Sequence, residues 1–445
     1  MTTYPRRTFL KNTTVSTAAL SFSAALAKPS LAADSPNETI QIGVVGLHNR
    51  GTDHYRTYSR IPNVKVTAIC DIDERLFPKA VEEIEKLYGE TPKTYTDYRE
   101  MLADASLDVI SIAVPDHWHA LMTIWACQAG KDVYVEKPLS FTIEEGRKMV
   151  QAARKYNRVV QMGTQHVSNP VTQEAFRQIR EGALGDIYMG RAIIYGTRGD
   201  IGRVPDSAVP AGVHWDRFLG PAPARPFNEN RFHYKWHWFW DTSTTEFGNN
   251  GVHYMDLVRR AMNHSVHPRR IHCTGNFYVH DSDQEIPNVQ TATYEYDDGT
   301  LTEMEVRSWY TNPEAGQKAG AFLFGTKGWM YLAPGVFQIH LGPKDEPGPQ
   351  LTTKDLPPLP ESEKGIEPHF KNFIDCVRSR QWQNLRAEVL EGHRSTVISH
   401  LGNISYKTGR KLIFDPQTEQ FEHDPEANAL LTRPYREPYA IPAEV

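Results

Sequence analysis

Residues 41–51 read Gln-Ile-Gly-Val-Val-Gly-Leu-His-Asn-Arg-Gly, and this stretch predicts the fold of the first part of the chain. Its apolar half is a short buried strand, and its polar half opens a helix. The pattern is a Gly-x-Gly-x-x-Gly dinucleotide-binding turn whose middle glycine is replaced by His48, so that the imidazole must point away or stack. The residues predicted to lie against a dinucleotide here are Gly46, His48, Asn49, Arg50 and Gly51.

The next strand places an acid at the expected distance. It runs from Val64 to Cys70 and ends at Asp71, about 20 residues after Gly51. A carboxylate at this position should hydrogen-bond the adenosine ribose, and its charge disfavours a 2′-phosphate. The sequence therefore predicts NAD as the cofactor rather than NADP.

A further strand, Asp132 to Val135, runs straight into Glu136-Lys137-Pro138. Proline restricts the residue before it, so Lys137 is held at the carboxyl end of the strand, the edge at which open α/β sheets bind ligands. Partial desolvation would lower the lysine pKa from about 10.4 and let the amine act as an acid or base. A surface Lys-Pro turn is the alternative interpretation.

These motifs, followed by Gly-Asn-Asn-Gly-Val-His-Tyr-Met-Asp at 248–256, resemble the glucose–fructose oxidoreductase, inositol dehydrogenase and rhizopine-catabolism family over roughly residues 40–415. The resemblance implies that Lys137 and His253 flank a sugar carbon that exchanges a hydride with nicotinamide, and that Glu136 belongs to the cofactor site. The aspartate of the family falls on Asn249, which removes one carboxylate from the expected constellation.

The segment that carries His253 also suggests how the imidazole is prepared. Asn249 or Asn250 can cap the helix that follows, which would put His253 in the first turn and keep it neutral. Asp256 lies three residues on and could orient the ring. The alternative is a packed His253, with Asp256 paired to one of the next arginines. The predicted catalytic residues are Lys137, His253, Asp256 and Asn249.

The substrate side is predicted in the aromatic segment 232–240, Phe-His-Tyr-Lys-Trp-His-Trp-Phe-Trp. Flat indoles stack on the C–H faces of sugars, and histidines offer hydrogen bonds to hydroxyls. An ordinary strand with a buried aromatic face is the alternative. The residues predicted to contact substrate are Trp236, His237, Trp238 and His253.

Two strand ends complete the predicted cofactor site. Pro115 precedes the Asp-His-Trp-His run after the fourth strand, and His119 ends it. The family resemblance implies that they line the nicotinamide side. His117 and His119 could ligate a metal, but no third ligand is evident, so no metal site is predicted. Gln165, at the end of the last strand, is expected to contact the carboxamide or the sugar, or to serve as an ordinary loop residue.

Periodicity divides the chain into two folded parts and predicts an α/β fold. Strand–helix alternation predicts a six-strand doubly wound parallel sheet in an NAD-binding Rossmann domain, and alternating strands after it predict a substrate-binding α+β domain with a largely antiparallel sheet. A proline-rich loop is expected at 343–360. The predicted segments are 1–33, a signal peptide; 38–163, the first domain; 164–414, the second; and 415–445, a tail that wraps the surface.

The amino terminus predicts export. Arg6-Arg7 precedes a mildly apolar, small-residue stretch that is too short to span a membrane, the pattern of a twin-arginine signal. The expected location is the periplasm, and the expected partner is the twin-arginine export machinery. Because the periplasm has no NAD pool, the folded chain would carry its cofactor out, with a dissociation constant below about 1 μM.

Composition limits the remaining partners. The 445 residues are 40% hydrophobic and carry a net charge of −5, which suits a two-domain enzyme and argues against nucleic acid or an anionic membrane. The four cysteines are scattered, so free thiols are favoured over a disulfide. We expect a carbohydrate substrate and a homo-oligomer.

Three functions remain open at this stage. The favoured one is an exported NAD-dependent oxidoreductase that oxidises a ring hydroxyl of a sugar or glycoside. The second is a redox-neutral NAD-dependent glycosidase, which oxidises, eliminates the glycosidic bond, adds water and reduces back. The resemblance implies that this branch often lacks the lysine found here as Lys137. The third is a non-catalytic sugar-binding protein on a Rossmann scaffold.

Overall fold

A computed structural model describes residues 39–309, 312–314, 316–358 and 365–445. The predicted signal peptide, 1–33, lies outside the described residues. The described residues belong to one compact unit.

The first sheet has six parallel strands in the order β3-β2-β1-β4-β5-β6, which confirms the doubly wound prediction. Its strands are short, apolar and buried on both faces, as parallel strands covered by helices must be. The strands are β1 (Ile40–Val45), β2 (Val64–Cys70), β3 (Lys93–Tyr95), β4 (Val109–Ile112), β5 (Asp132–Val135) and β6 (Val160–Met162). The helices between them are α1 (Arg50–Tyr58), α2 (Phe77–Tyr88), α3 (Tyr98–Leu102), α4 (His119–Gln128) and α5 (Ile143–Lys155).

The second sheet has ten strands in the order β14-β13-β12-β11-β7-β10-β9-β8-β15-β16. Of its described pairings, only β7 with β10 is parallel, which confirms a largely antiparallel sheet. Its strands are β7 (Ile187–Tyr195), β8 (Arg270–Asn276), β9 (Val289–Glu295), β10 (Leu301–Arg307), β11 (Ala319–Gly325), β12 (Gly328–Ala333), β13 (Val336–Leu341), β14 (Glu346–Thr352), β15 (Leu412–Asp415) and β16 (Gln420–Phe421). The remaining helices are α6 (Pro170–Arg180), α7 (Trp215–Leu219), α8 (Val252–Ala261), α9 (Glu367–Ser379), α10 (Val389–Thr408) and α11 (Pro425–Ala429).

One segment differs from its prediction. The stretch expected to be a proline-rich loop contains β14, which pairs with β13. Pro347 and Pro349 lie in this strand, and they are tolerated because β14 is the edge of the sheet, where a missing N–H leaves no neighbour unpaired.

Late segments of the chain pack back onto the first sheet. Helix α9 buries Phe370, Phe373 and Ile374 against a face of that sheet, in one core with residues of β1 and β2. The tail buries Tyr439 in the core on the opposite face, beside Trp118. The first sheet is therefore covered partly by helices and loops that come more than 200 residues later in the sequence.

None of the helices in the described ranges is both long and apolar enough to cross a membrane.

Candidate active site

A pocket of about 300 Å³ opens at the carboxyl edge of the parallel sheet. Its wall is formed by the residues that follow β1, β2, β4 and β5, and by side chains of the second part of the chain. Ligands bind at this edge in open α/β sheets, because the loops diverge there on either side of the strand ends. The predicted residues in the wall are Gly46, His48, Asn49, Arg50, Asp71, Pro115, Glu136, Lys137, Trp236, His237 and Asn249.

The turn after β1 depends on two glycines. Gly46 has a φ of +83°, and a Cβ on it would lie 2.2 Å from the carbonyl oxygen of Ala113. A Cβ on Gly51 would lie 1.6 Å from the carbonyl oxygen of Gly46. No side chain fits at either position, because the turn packs backbone against backbone, and Gly46 also lines the pocket.

His48 stacks, as its replacement of the middle glycine requires. Its ring centroid lies 4.8 Å from that of His233, and His233 Nε2 lies 2.8 Å from Asp73 Oδ2. Burial, followed by the charge of His233, lowers the pKa of His48. The imidazole therefore forms part of a contact between the first turn and the second part of the chain.

Arg50, which is half-buried, and Glu136, which is buried, form an ion pair in the wall of the pocket. Arg50 Nε donates to Glu136 Oε1 at 2.8 Å, and His54 Nε2 lies 3.2 Å from the same oxygen. Although burial opposes it, the charge of Arg50 with the His54 contact holds the pKa of Glu136 well below its ordinary value. Arg50 Nη2 is buried and has no hydrogen-bond partner among the described residues.

Asp71 ends β2 and lines the pocket, as predicted. Its Oδ2 accepts from the backbone N–H of Leu47 at 2.7 Å, and its Oδ1 accepts from that of Asp73 at 2.9 Å. Burial raises the pKa of Asp71 to about 6. The two backbone bonds fix the carboxylate against the glycine turn, with lone pairs still available to a ligand hydroxyl.

NAD fits these features. The turn after β1 leads directly into the N-terminus of α1, where a pyrophosphate can bind, and the unpaired Arg50 nitrogen offers a donor to an anionic group. Asp71 lies where a ribose acceptor belongs. The residues that would hold the cofactor are Gly46, His48, Asn49, Arg50, Gly51, Asp71 and Pro115.

Lys137 and Asn249 join the two parts of the chain across the pocket. Lys137 Nζ donates to Asn249 Oδ1 at 2.8 Å. Burial lowers the pKa of Lys137, and the charges of Glu136 and Asp116 only partly oppose this. The amine is therefore held at the strand end as predicted, with a greater tendency to lose its proton than a lysine in water.

Sequence reasoning missed Glu246, which supplies a carboxylate close to the position where Asn249 replaces one. Glu246 is buried, and its Oε1 accepts from Asn249 Nδ2 at 3.3 Å and from Arg198 Nη2 at 2.8 Å. Its Oε2 accepts from Asn250 Nδ2 at 2.8 Å. The sequence could have indicated Glu246, because residues three apart lie on the same face of a helical turn, and Glu246 comes three residues before Asn249.

The predictions for the start of α8 need two corrections. Neither Asn249 nor Asn250 caps α8, because a π-helical turn, Phe247–Gly251, runs continuously into it. Asp256 does not orient His253. Its Oδ1 accepts from Arg260 Nε at 2.7 Å and from Ser395 Oγ at 2.6 Å, so the alternative interpretation of this aspartate is confirmed.

His253 lies behind the pocket rather than in its wall. Its ring stacks on that of His166 with centroids 4.3 Å apart, and its Nδ1 has no hydrogen-bond partner among the described residues. Burial, together with His166 and Lys137, lowers its pKa well below the ordinary value. The imidazole is neutral as predicted, but burial rather than the helix end is the main cause.

Four other predicted contacts lie outside the pocket wall: Gly51, His119, Gln165 and Trp238. His119 Nδ1 lies 2.6 Å from the carbonyl oxygen of Pro138, and its Nε2 lies 2.9 Å from that of Val114, so it ties two strand ends together. Gln165 has a buried Oε1 without a partner among the described residues. Trp238 packs with Phe239 and Ile286.

The aromatic segment forms a 3₁₀ helix, His233–Trp238, rather than a strand. Trp236 and His237 stack with centroids 3.6 Å apart and line the pocket. Burial lowers the pKa of His237 to about 3, so its imidazole is neutral. Tyr234 also lines the pocket, and its hydroxyl accepts from Arg198 Nη1 at 3.0 Å.

A histidine–carboxylate cluster lies elsewhere in the molecule. His267 Nε2 and His393 Nε2 lie 3.0 and 2.8 Å from Glu419 Oε1, while Arg147 Nε donates to Glu419 Oε2 at 2.8 Å. Its ligand atoms lie within 4.8 Å of one another. Ordinary hydrogen bonds satisfy the carboxylate, and we assign the cluster the structural role of attaching the tail to α5 and α10.

Comparison with known proteins agrees with this arrangement. Residues 40–164 match the model of the oxidoreductase family, NAD-binding Rossmann fold, and residues 199–441 match that of the oxidoreductase family, C-terminal alpha/beta domain. The structure resembles the WlbA dehydrogenase from Bordetella pertussis in complex with NADH and UDP-GlcNAcA (19% identity, TM-score 0.62, covering 85% of this chain and 99% of that one). It also resembles levoglucosan dehydrogenase in complex with NADH (17% identity, TM-score 0.64, covering 84% and 98%).

Curated relatives match over a shorter stretch. A glycosyl hydrolase family 109 protein of Shewanella sp. strain ANA-3 and an alpha-N-acetylgalactosaminidase of Shewanella oneidensis are each 30% identical over 159 residues, 35% of this chain. The match spans about a third, 35%, of the length of these relatives. Together, the two family models show that the chain belongs to the oxidoreductase family that joins an NAD-binding Rossmann domain to a C-terminal alpha/beta domain.

Proposed function

We propose that the protein is an exported NAD-dependent oxidoreductase that oxidises a ring hydroxyl of a sugar or glycoside. The observation that carries the proposal is the position of Lys137 Nζ. It lies in the wall of the pocket that also contains the glycine turn and Asp71, and it is held from the other side by Asn249. A lysine placed next to a nucleotide site, with its pKa lowered by burial, is suited to proton transfer.

Bound NAD would supply the hydride acceptor, and the protein groups handle the proton. A hydroxyl that loses a hydride from its carbon must also lose its proton, and Lys137 is the base. Asn249 holds the amine, and Glu246 fixes the Asn249 amide so that its oxygen faces the lysine. His253, Asp256 and Gln165 are assigned supporting roles behind the wall.

The aromatic and polar groups that line the same pocket as Lys137 suit a carbohydrate. Trp236 and His237 form a stacked pair at the wall, and Tyr234 with Arg198 offers hydrogen-bond donors beside them. An apolar face with donors at its edge matches a sugar ring, which has C–H faces and a rim of hydroxyls.

Retention of the cofactor is supported by a segment that we call the strap, residues 213–239. It supplies Phe218, Phe232 and His233 to the pocket. It is attached to the first domain by His233 with Asp73 at 2.8 Å, and by His214 Nε2 with Glu74 Oε1 at 2.7 Å. We infer that these contacts slow the release of a bound nucleotide, as an exported enzyme with a resident cofactor requires.

A redox-neutral glycosidase is the second candidate. It is favoured by the relatives of glycosyl hydrolase family 109, and it would use the same pocket and the same retained cofactor. The two candidates differ in product, since the oxidoreductase yields a ketone and the glycosidase yields a free sugar.

The test uses mature protein expressed with its signal and isolated from the periplasm. Denaturation should release NAD or NADH, identified by mass spectrometry. A panel of sugars and glycosides should yield one ketone per bound NAD, and more when a second carbonyl compound is supplied to take the hydride back. Free sugar without net ketone would select the glycosidase. Binding of a sugar without any product would show that the protein only binds sugar. Release of NADP, or of no nucleotide, would contradict the assignment of NAD as the cofactor. Replacement of Arg6 and Arg7 by lysine should retain the protein in the cytoplasm.

A further inference from the structure

A second cavity of about 670 Å³ lies away from the nucleotide pocket and shares none of its lining residues. It is enclosed by α6, by the end of α8 with the loop after it, and by the start of α10 with the segment before it. Five arginines line it: Arg180, Arg259, Arg260, Arg386 and Arg394.

The negative charge in the cavity is too small to balance these arginines. Glu391 is the only acid in the described wall, and it accepts from Arg259 Nη2 at 2.7 Å and from Arg394 Nη1 at 2.6 Å. Asp256, below the wall, accepts from Arg260. Arg180 and Arg386 are exposed at the rim and form no ion pair with any described residue. This excess of cations occurs in a chain of net charge −5.

The floor of the cavity holds guanidinium groups that water solvates poorly. Arg259 is 3% exposed, and burial together with the charge of Arg260 lowers its pKa. Arg260 Nη2 is buried and has no hydrogen-bond partner among the described residues. A buried donor without an acceptor destabilises the protein, and an acceptor supplied by a ligand would remove that cost.

The shape and chemistry of the cavity define the class of ligand. Guanidinium forks bind carboxylate, phosphate and sulfate groups through paired N–H bonds. Because the arginines of the rim and of the floor lie at different depths, together they suit a molecule that carries more than one anionic group. Phe176, Ile179 and Leu385 add an apolar wall, which an inorganic ion would not use.

We propose that this cavity binds a small organic molecule that carries at least two anionic groups. Arg180 and Arg386 contact one group at the rim, and Arg260 Nη2 donates to another at the floor. The site is separate from the active site, so its ligand need be neither substrate nor product.

Isothermal titration calorimetry with citrate tests the proposal on intact protein saturated with NAD, so that the nucleotide pocket is filled. The comparison is between the double variant Arg180→Ala, Arg386→Ala and the control Arg177→Ala. Arg177 is exposed on the same helix, does not line the cavity, and pairs with Glu174 and Glu181. All three positions are exposed, so circular dichroism should show the fold unchanged.

We expect one citrate site per chain, weaker binding of inorganic sulfate, and an affinity for citrate that falls by about tenfold or more in the double variant but not in the control. The absence of saturable citrate binding, or an equal affinity in the double variant, would overturn the proposal. Binding of a hexaglutamate peptide without binding of citrate would also overturn it and assign the cavity to an acidic protein partner.

Discussion

The two halves of the active-site pocket are built in different ways. The nucleotide half is set by backbone: strand ends, two glycines without room for a Cβ, and an aspartate fixed by two N–H groups. The half facing the substrate is set by side chains that form a chain of hydrogen bonds, from Arg198 to Glu246, to Asn249 and to Lys137. A substitution in the nucleotide half should therefore weaken cofactor binding, and a substitution in the half facing the substrate should lower the catalytic rate.

The largest effect is expected on bound NAD, when a glycine of the turn in the nucleotide half is replaced by a residue with a side chain. In Gly51→Ala the new Cβ would overlap the carbonyl oxygen of Gly46, so the turn must move, at a cost of about 1–3 kcal/mol from overpacking alone. We expect purified protein without bound NAD, measured by absorbance after denaturation. Gly199→Ala is the control, since nothing lies within 4 Å of a Cβ there. Normal NAD content in Gly51→Ala would contradict the role of the turn.

Lys137→Ala tests the side-chain-built half. Loss of the base should lower kcat by about 10²–10⁴ while bound NAD remains, because none of the backbone contacts of the nucleotide half changes. Lys235→Ala is the matched control: this nearby lysine donates to Asn230 Oδ1 instead, and its removal should leave kcat near normal. Near-normal turnover of Lys137→Ala would rule out the proposed mechanism.

Asp71→Ser acts on affinity alone. Loss of a charged acceptor for the ribose should weaken NAD binding by about 10- to 100-fold and relax discrimination against NADP. The pKa of Asp71 is about 6, so its carboxylate is ionised above this pH and protonated below it. NAD dissociation should therefore accelerate as pH falls through about 6 in the wild type and lose this dependence in the variant. Stopped-flow measurement of dissociation against pH distinguishes the two.

Glu246→Gln should have a smaller effect on rate and a distinctive effect on pH dependence. The reacting amine stays, so we expect kcat to fall by about tenfold through loss of positioning. The carboxylate raises the pKa of Lys137, so removing its charge should move the acid limb of the kcat profile to lower pH. The control is Glu303→Gln, on β10 of the ten-stranded sheet, which should change neither kcat nor the position of the acid limb. An acid limb that moves upward, or not at all, would contradict the coupling of Glu246 to Lys137.

The same difference explains what the sequence could predict. Strand ends are local features, so β5, Lys137 at its carboxyl end and Asp71 were predicted at their observed positions. The family resemblance supplied the role of Lys137. Arg260, one partner of Asp256, lies on the same helix and was among the predicted alternatives. The other partner, Ser395, was not predictable, because it comes from α10, 139 residues away. Helical spacing indicates that two residues share a face, but it does not indicate which neighbour from another helix reaches them first. β14 was missed because edge position, which admits its prolines, is a property of the whole sheet.

Replacement of His253 should have the smallest effect on kcat. It tests whether this residue belongs to the group of side chains that acts on the substrate. The ring lies behind the wall, stacked on His166, so His253→Ala should lower kcat by no more than about tenfold and leave the pH profile unchanged, because Lys137 remains the base. The loss should appear in stability instead, since removing a buried ring costs about 2 kcal/mol or more. Thermal unfolding and steady-state kinetics on the same preparation separate these outcomes. A fall in kcat as large as that of Lys137→Ala, with the melting temperature unchanged, would return His253 to the reacting atoms and require it to move into the pocket when substrate binds.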